Sequence, residues 1–176
     1  GLIAQLDLYV VKKVCEFLEE QKEIYNGKLP IHISVNVSRH DSVIEGFADK
    51  IITIIEQCRI PKSAIHIEIT ESAYVENPER IFAFISKIRK YGLMVEMDDF
   101  GSGYSSLNAL KDLPIDVIKL DMRFLSGGHE ENGQMIIRSL IRMMKIMHKR
   151  VVAEGVETRS QNRFLKNIGC DYMQGY

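Results

Sequence analysis

The sequence predicts an α/β fold in which a parallel sheet curls as in a (β/α) barrel. Three observations lead there. Strand-like and helix-like segments alternate along the whole chain, the pattern of parallel strands joined by helical crossovers. An open doubly wound sheet gives the same alternation, but its strands are usually apolar on both faces. Here each strand is apolar on one parity only, so the apolar row should face helices and the polar row a barrel interior. Lastly, acids, amides and a lysine recur near the C-terminal ends of separate strands, the ends that converge on the mouth of a barrel.

Each element follows from local pattern. Residues 2–24 form a helix with Leu2, Leu6, Val10, Val14, Phe17 and Leu18 on one face, stopped by Asn26-Gly27 and Pro30. Residues 31–38 alternate as a strand: Ile31, Ile33, Val35 and Val37 oppose His32, Ser34, Asn36 and Ser38. Residues 42–58 are helical, with Phe47, Ile51, Ile54, Ile55 and Cys58 on one side, and Pro61 breaks them. The second strand is 64–70, where Ile65, Ile67 and Ile69 oppose His66, Glu68 and Thr70. Asn77 and Pro78 open a helix that runs through Tyr91 and ends at Gly92. LMVEMDD is the third strand, with Glu96 and Asp98 on one face. A short helix over about 104–112 stops before Pro114, and 116–121 is the fourth strand. A polar loop leads to a Met-rich helix ending near His148, whose methionines read as core or helix interface. RVVAEGVE is the fifth strand, Thr158 caps a helix ending at Gly169, and DYMQGY begins a sixth strand.

Bulk properties narrow the class. The chain has 176 residues, 45% hydrophobic and 27% charged, enough for one domain with a real core. A net charge of -1 with dispersed Lys and Arg gives no footprint for a nucleic-acid duplex or an anionic membrane. No apolar run approaches the ~20 residues of a membrane span, and the start lacks a basic leader, so a cytoplasmic domain is expected. Cys15, Cys58 and Cys170 are far apart and without a CxxC pattern, so they read as free packing thiols.

The candidate site is the stretch MVEMDDFGSGYSSL at 94–107. Asp98 and Asp99 stand side by side after an apolar run, which raises their pKa unless a cation lies between them. A turn would use the same residue types. Asn36, Glu68, Asp98, Asp99, Lys119, Glu154 and Gln174 sit at or near the ends of different strands. An oxygen set of this kind points to Mg²⁺ or Mn²⁺ rather than zinc, and paired aspartates can bridge two ions about 3.5–4 Å apart for phosphoester hydrolysis. Lys119 suits neutralisation of a phosphoryl oxygen, and Glu154 suits proton transfer or metal binding. Each residue also has a structural role open to it. Asn36 could cap a turn, Lys119 could pair with Asp121 or Glu96, Glu154 and Glu157 could be helix-cap acids, and Glu71 could brace a loop. His32 and His66 face inward near the strand starts and read as interior hydrogen-bonding residues rather than ligands.

With these segments in order, the chain resembles an EAL domain, the bacterial phosphodiesterase that linearises cyclic di-GMP to pGpG. The stretches that carry the resemblance are SVNVS (34–38), EITES (68–72), DDFGSGYSSL (98–107), LPIDVIKLD (113–121), VVAEGVET (151–158) and MQGY (173–176). The resemblance implies a TIM-type (β/α) barrel with one strand reversed, incomplete here with six strand candidates, and two Mg²⁺ or Mn²⁺ ions. By motif, Asn36, Glu68 and Asp98 look like ligands of one metal, and Asp98 and Asp99 of the second, with Glu154 nearby. Lys119 resembles the lysine beside the catalytic water, Gln174 an active-centre glutamine, and Glu71 the acid that steadies the aspartate loop. Gly101, Ser102 and Gly103 of that loop, with Asp121 and Glu157, complete the expected substrate-binding or supporting set. The loop and the helix after it, through about Leu110, are similar to a segment used for homodimer contacts and for coupling to sensory or regulatory domains.

Two departures shape the expectation. The Glu-Ala-Leu strand that names the family would lie upstream of Gly1, and its last strand and helix beyond Tyr176, so a longer natural protein is expected. A cyclic di-GMP sensor without hydrolysis is the alternative, but such members usually lose acids that this chain keeps. An unrelated barrel lyase or hydrolase with a carboxylate–metal site is the third possibility.

Overall fold

The computed structural model describes residues 1–101, 107–122 and 130–176. Six strands, β1 (Ile33–Asn36), β2 (Ile65–Thr70), β3 (Met94–Phe100), β4 (Val117–Asp121), β5 (Arg150–Glu154) and β6 (Tyr172–Gln174), form one sheet. Their spatial order is their sequence order, and every neighbouring pair is parallel. The expected barrel with one reversed strand is therefore corrected. The described strands make a half-barrel, β1 and β6 do not pair with each other, and none of the six is reversed. The reason lies in the connections. Each one carries a helix that returns the chain to the starting end of the sheet, so successive strands set out in the same direction.

The helices are α1 (Leu2–Ile24), α2 (Phe47–Glu56), α3 (Glu71–Glu76), α4 (Pro78–Tyr91), α5 (Leu107–Asp112), α6 (Glu130–Ile146) and α7 (Arg159–Asn167). The apolar strand row packs in one core with Phe47, Ile51 and Ile55 of α2, Ile81, Ile85 and Ile88 of α4, and Ile137, Ile141 and Met144 of α6. Each such side chain stabilises the fold by about 1.5–3 kcal/mol when fully buried. Cys15 is buried in this core, whereas Met135 of the Met-rich helix is exposed. Helix α1 departs from the sequence pattern. It buries Val11, Cys15 and Leu18, and leaves Leu2, Leu6, Val10 and Phe17 exposed. The helix is apolar on more than one side, so packing against α2 and β1 selects the buried stripe, and the longest stripe faces out.

Helix ends follow local chemistry. Gly92 ends α4 with φ 104°, a left-handed conformation natural to glycine. Thr158 and Gln161 close a capping box at the start of α7. Helix α3 had no separate signal, because its six residues are too few to show a helical period.

A device recurs at the N-terminal end of the sheet. Asp116, just before β4, accepts a hydrogen bond from Val95 N–H of β3 at 2.9 Å and a two-pronged contact from Arg89 of α4 at 3.1 and 2.9 Å. Asp171, just before β6, accepts from Val151 N–H of β5 at 2.8 Å and from Lys145 of α6. In both cases one carboxylate fixes the start of the preceding strand to the helix behind it.

Candidate metal centre

The register explains why residues far apart in sequence meet. Asn36 lies opposite Glu68, Thr70 opposite Asp98, and Glu154 between Asp121 and Gln174. In β3 the register shifts between Met97 and Phe100, a bulge that adds one residue relative to β4. Phe100 then pairs with Leu120 and joins the apolar row, while Asp98 keeps the inward parity of Glu96. Asp99 takes up the bulge with φ 53°, a conformation that Asp and Asn accept more readily than other side chains.

Lys119 stands at the centre. Its ammonium lies 2.7 Å from Glu68 Oε1, 2.9 Å from Glu154 Oε1 and 3.3 Å from Asp98 Oδ1. Its side chain is only 11% exposed, so the charge is largely removed from water. Asp98 Oδ1 is itself buried, and the lysine approaches it without making a hydrogen bond. A buried carboxylate oxygen in that condition, in a set of oxygen donors, fits a hard cation.

Three carboxylates around one ammonium leave excess negative charge. Burial pushes Glu68 up to about 7, against the lowering effect of Lys119 and with the help of Asp98. Burial likewise raises Glu154. Asp98 goes the other way. Burial opposes its ionisation, but hydrogen bonds from Glu68 and the Asp99 backbone, together with the Lys119 charge, hold it below the usual range. Lys119 is raised, its burial outweighed by Glu68, Glu154 and Asp98. Without a metal ion the cluster thus favours its ammonium and disfavours full ionisation of its acids, Glu68 above all.

Asn36, Glu68, Lys119 and Gln174 line one cavity of about 540 Å³ on the concave face. Asp98 and Glu154 join them through Lys119. Glu71 is buried, and its Oε2 accepts from Gly101 N–H at 3.0 Å, so it braces the start of the aspartate loop. Asp121 is buried at the end of β4 beside Glu154. Glu157 is exposed beyond β5, where its N–H donates to Gln161 Oε1, and it stays outside the cluster. Ser102 and Gly103 lie outside the described residues.

Beneath this tier is a second one. His66 Nδ1 and Glu96 Oε1 are 2.6 Å apart, both side chains almost fully buried. The His32 ring stacks on His66 with centroids 4.1 Å apart and planes 18° from parallel. One ligand atom from each of His32, His66 and Glu96 lies within 4.8 Å of the others, so the three form a candidate metal-coordinating group. The sequence treats these histidines as hydrogen-bonding residues, which His66 is, and gives Glu96 no role in the site. The signal was there in the parity: His32, His66 and Glu96 all lie on the polar face, and Glu96 registers against Glu68. Burial opposes ionisation of Glu96, but hydrogen bonds from His66 and Ser34 hold it below the usual carboxylate range. Burial and the neighbouring His66 lower His32.

Comparison with known proteins agrees with this geometry. Residues 1–176 match the EAL domain family. The chain is 32% identical to the cyclic di-GMP phosphodiesterase NbdA of Pseudomonas aeruginosa over 177 residues, covering 100% of this chain and 22% of that protein. The chain therefore spans less than a quarter of the length of this curated relative. Among solved structures, the EAL domain of Mycobacterium smegmatis DcpA matches with a TM-score of 0.87 and 32% identity, covering 99% of this chain and 78% of that one. The PaMucR phosphodiesterase in complex with c-di-GMP matches with a TM-score of 0.88 and 28% identity, covering 99% and 76%. By its sequence motifs, its curled parallel sheet and the carboxylate cluster at the strand ends, the chain belongs to the EAL domain family.

Proposed function

We propose that this chain is the catalytic domain of a metal-dependent phosphodiesterase that opens cyclic di-GMP to linear pGpG. The observation that carries the proposal is Lys119 held among Glu68, Asp98 and Glu154 in a cavity open to solvent. Membership of the EAL family, and the similarity to proteins named as cyclic di-GMP phosphodiesterases, support cyclic di-GMP as the substrate. Asn36, Glu68, Asp98 and Asp99 would hold one or two Mg²⁺ or Mn²⁺ ions. Such ions polarise a phosphoryl oxygen and make water a better nucleophile near neutral pH.

The residues of the chain do the rest. Glu154 accepts a proton from the attacking water, a role that its raised pKa suits. The Lys119 ammonium, charged throughout, neutralises the charge that grows on the phosphoryl oxygen. The water oxygen bonds to phosphorus as the P–O bond to one ribose breaks, and the departing ribose oxygen takes up a proton from solvent to leave as a hydroxyl. Gln174, in the same cavity, offers an amide to the phosphate, and Glu71 keeps the aspartate loop in place through Gly101. A homodimer through the aspartate loop and the helix after it, and sensory or regulatory domains elsewhere in the whole protein, belong to the same proposal.

The test is turnover of cyclic di-GMP by the protein as the organism makes it, with Mn²⁺ or Mg²⁺, the product separated by chromatography. Metal-dependent pGpG that disappears in a folded Glu68→Gln variant supports the proposal. Binding of cyclic di-GMP without product would make the chain a sensor instead.

A further inference from the structure

The lower tier of the cavity has a different donor chemistry from the mouth. We propose that His32, His66 and Glu96 form a second metal site, one that takes a transition metal of the zinc type rather than Mg²⁺. Imidazole nitrogen suits Zn²⁺, Co²⁺ or Ni²⁺, whereas the oxygen set of the upper tier suits harder ions. The proposal does not depend on hydrolysis of any substrate.

The geometry argues for it in three ways. His66 and Glu96 are already in contact at 2.6 Å on neighbouring strands, so two of the three donors need no rearrangement of the backbone. The ion takes the place of the proton between Nδ1 and Oε1. The third donor is His32, one strand over, whose ring lies against His66. Donor atoms that share a tetrahedral zinc ion at about 2.0–2.1 Å stand about 3.3–3.4 Å apart. The present spread of 4.8 Å must contract by about 1.4 Å, and the 2.6 Å contact of His66 with Glu96 must open by about 0.7 Å as the proton is replaced. His32 is exposed and can turn, which supplies most of that contraction, and a small side-chain rotation of Glu96 opens its contact with His66. The carboxylate of Glu96 offsets part of the ion's charge, and Arg150, which lines the same cavity, opposes it. Three protein ligands facing a cavity leave a position for water, the pattern of an open rather than a closed site.

The experiment is a Co²⁺ titration of the metal-stripped protein followed by visible absorption, with Mg²⁺ in excess to occupy the oxygen donors above. One equivalent of Co²⁺ should give the intense bands of a nitrogen-ligated ion of low coordination number, and Zn²⁺ should abolish them. His32→Ala removes an exposed ligand without disturbing the core, and should weaken binding roughly tenfold or more. Glu96→Gln, equal in shape, should do the same. Asp98→Asn should leave the bands unchanged. The proposal is overturned if no such bands form, if His32→Ala binds Co²⁺ as tightly as the parent, or if the bands depend on Asp98. Failure here would leave metal-dependent turnover untouched, since that is read with Mg²⁺ or Mn²⁺ and a different variant.

Discussion

Replacing Lys119 with methionine removes the cation that the buried Glu68 and the half-buried Asp98 and Glu154 share, and its cost can be worked from the distances. At 2.7, 2.9 and 3.3 Å, each pair is worth about 5–6 kcal/mol gross at an effective dielectric constant near 20. Most of that is offset, because the lysine is no longer desolvated and the freed acids can take up protons. Breaking a buried ion pair from one side costs about 3–5 kcal/mol net. For a domain of 176 residues this is a fall in Tm of about 6–20 °C. The assay is urea or thermal unfolding at pH 8, followed by circular dichroism, on metal-free protein. Adding Mn²⁺ at about a thousandfold its Kd stabilises a binding-competent fold by about 4 kcal/mol. The variant should gain more from metal than the parent, whose acids are already partly satisfied by the ammonium. A second substitution, Glu68→Gln in the Lys119→Met background, should restore part of the loss. If metal-free Lys119→Met unfolds at the same temperature as the parent, the cluster is not held together by this lysine, and the argument for its central place fails.

Other predictions follow from the same cluster. Glu68 titrates near 7 in the fold against 4.5 in the unfolded chain, so the folded state binds more protons between those values and metal-free stability should fall as pH rises from about 4.5 to 7. Apparent Mn²⁺ affinity, measured by calorimetry, should drop about tenfold per pH unit below 7, and a flat profile would exclude Glu68 as a titrating ligand. Glu96 is lowered, so its contribution to stability is complete above the ordinary carboxylate range and is lost as pH falls below it. Glu96→Gln should remove that acid limb from the pH–stability curve. Asp99→Asn keeps a side chain suited to φ 53° and should alter metal binding alone, whereas Asp99→Val should also cost about 1–2 kcal/mol in unfolding experiments. Gly175→Ala should perturb the Gln174 end of β6, because an added Cβ would lie 1.9 Å from the Val156 carbonyl oxygen; a variant with unchanged stability and activity would show that β6 shifts freely.

Much of this was legible in the sequence because the informative patterns are local. The alternation of Ile33 and Val35 with Ser34 and Asn36, or of Ile65, Ile67 and Ile69 with His66 and Glu68, fixes the two faces of a strand by itself. Pro78, Gly92 and Thr158 mark helix ends through their own backbone chemistry. What escaped depends on neighbours that the local sequence does not name. Which stripe of α1 is buried is decided by α2 and β1, not by α1. The direction of the strands is a property of the connections, and a family expectation of one reversed strand carried over to a segment in which all six run parallel. At the site, Lys119 was found as a residue but not as the partner of Glu68, Asp98 and Glu154 at once, since that requires the register of four strands. The pairing of His66 with Glu96 needs the same register, thirty positions apart.

The carboxylates of Asp116 and Asp171 sit at the opposite end of the sheet from the proposed metal ligands, yet they hold the starts of β3 and β5. From Asp116 to Lys119 along the strand is about 10 Å. A strand freed at its start can slip, and a slip of one residue moves each side chain by about 3.3 Å and sends it to the other face. In β3 that would carry Asp98 out of the cavity, and in β5 it would carry Glu154. Variants of Asp116 and Asp171 would therefore resemble lesions of the proposed site in an assay of turnover, while leaving every proposed ligand in the sequence intact.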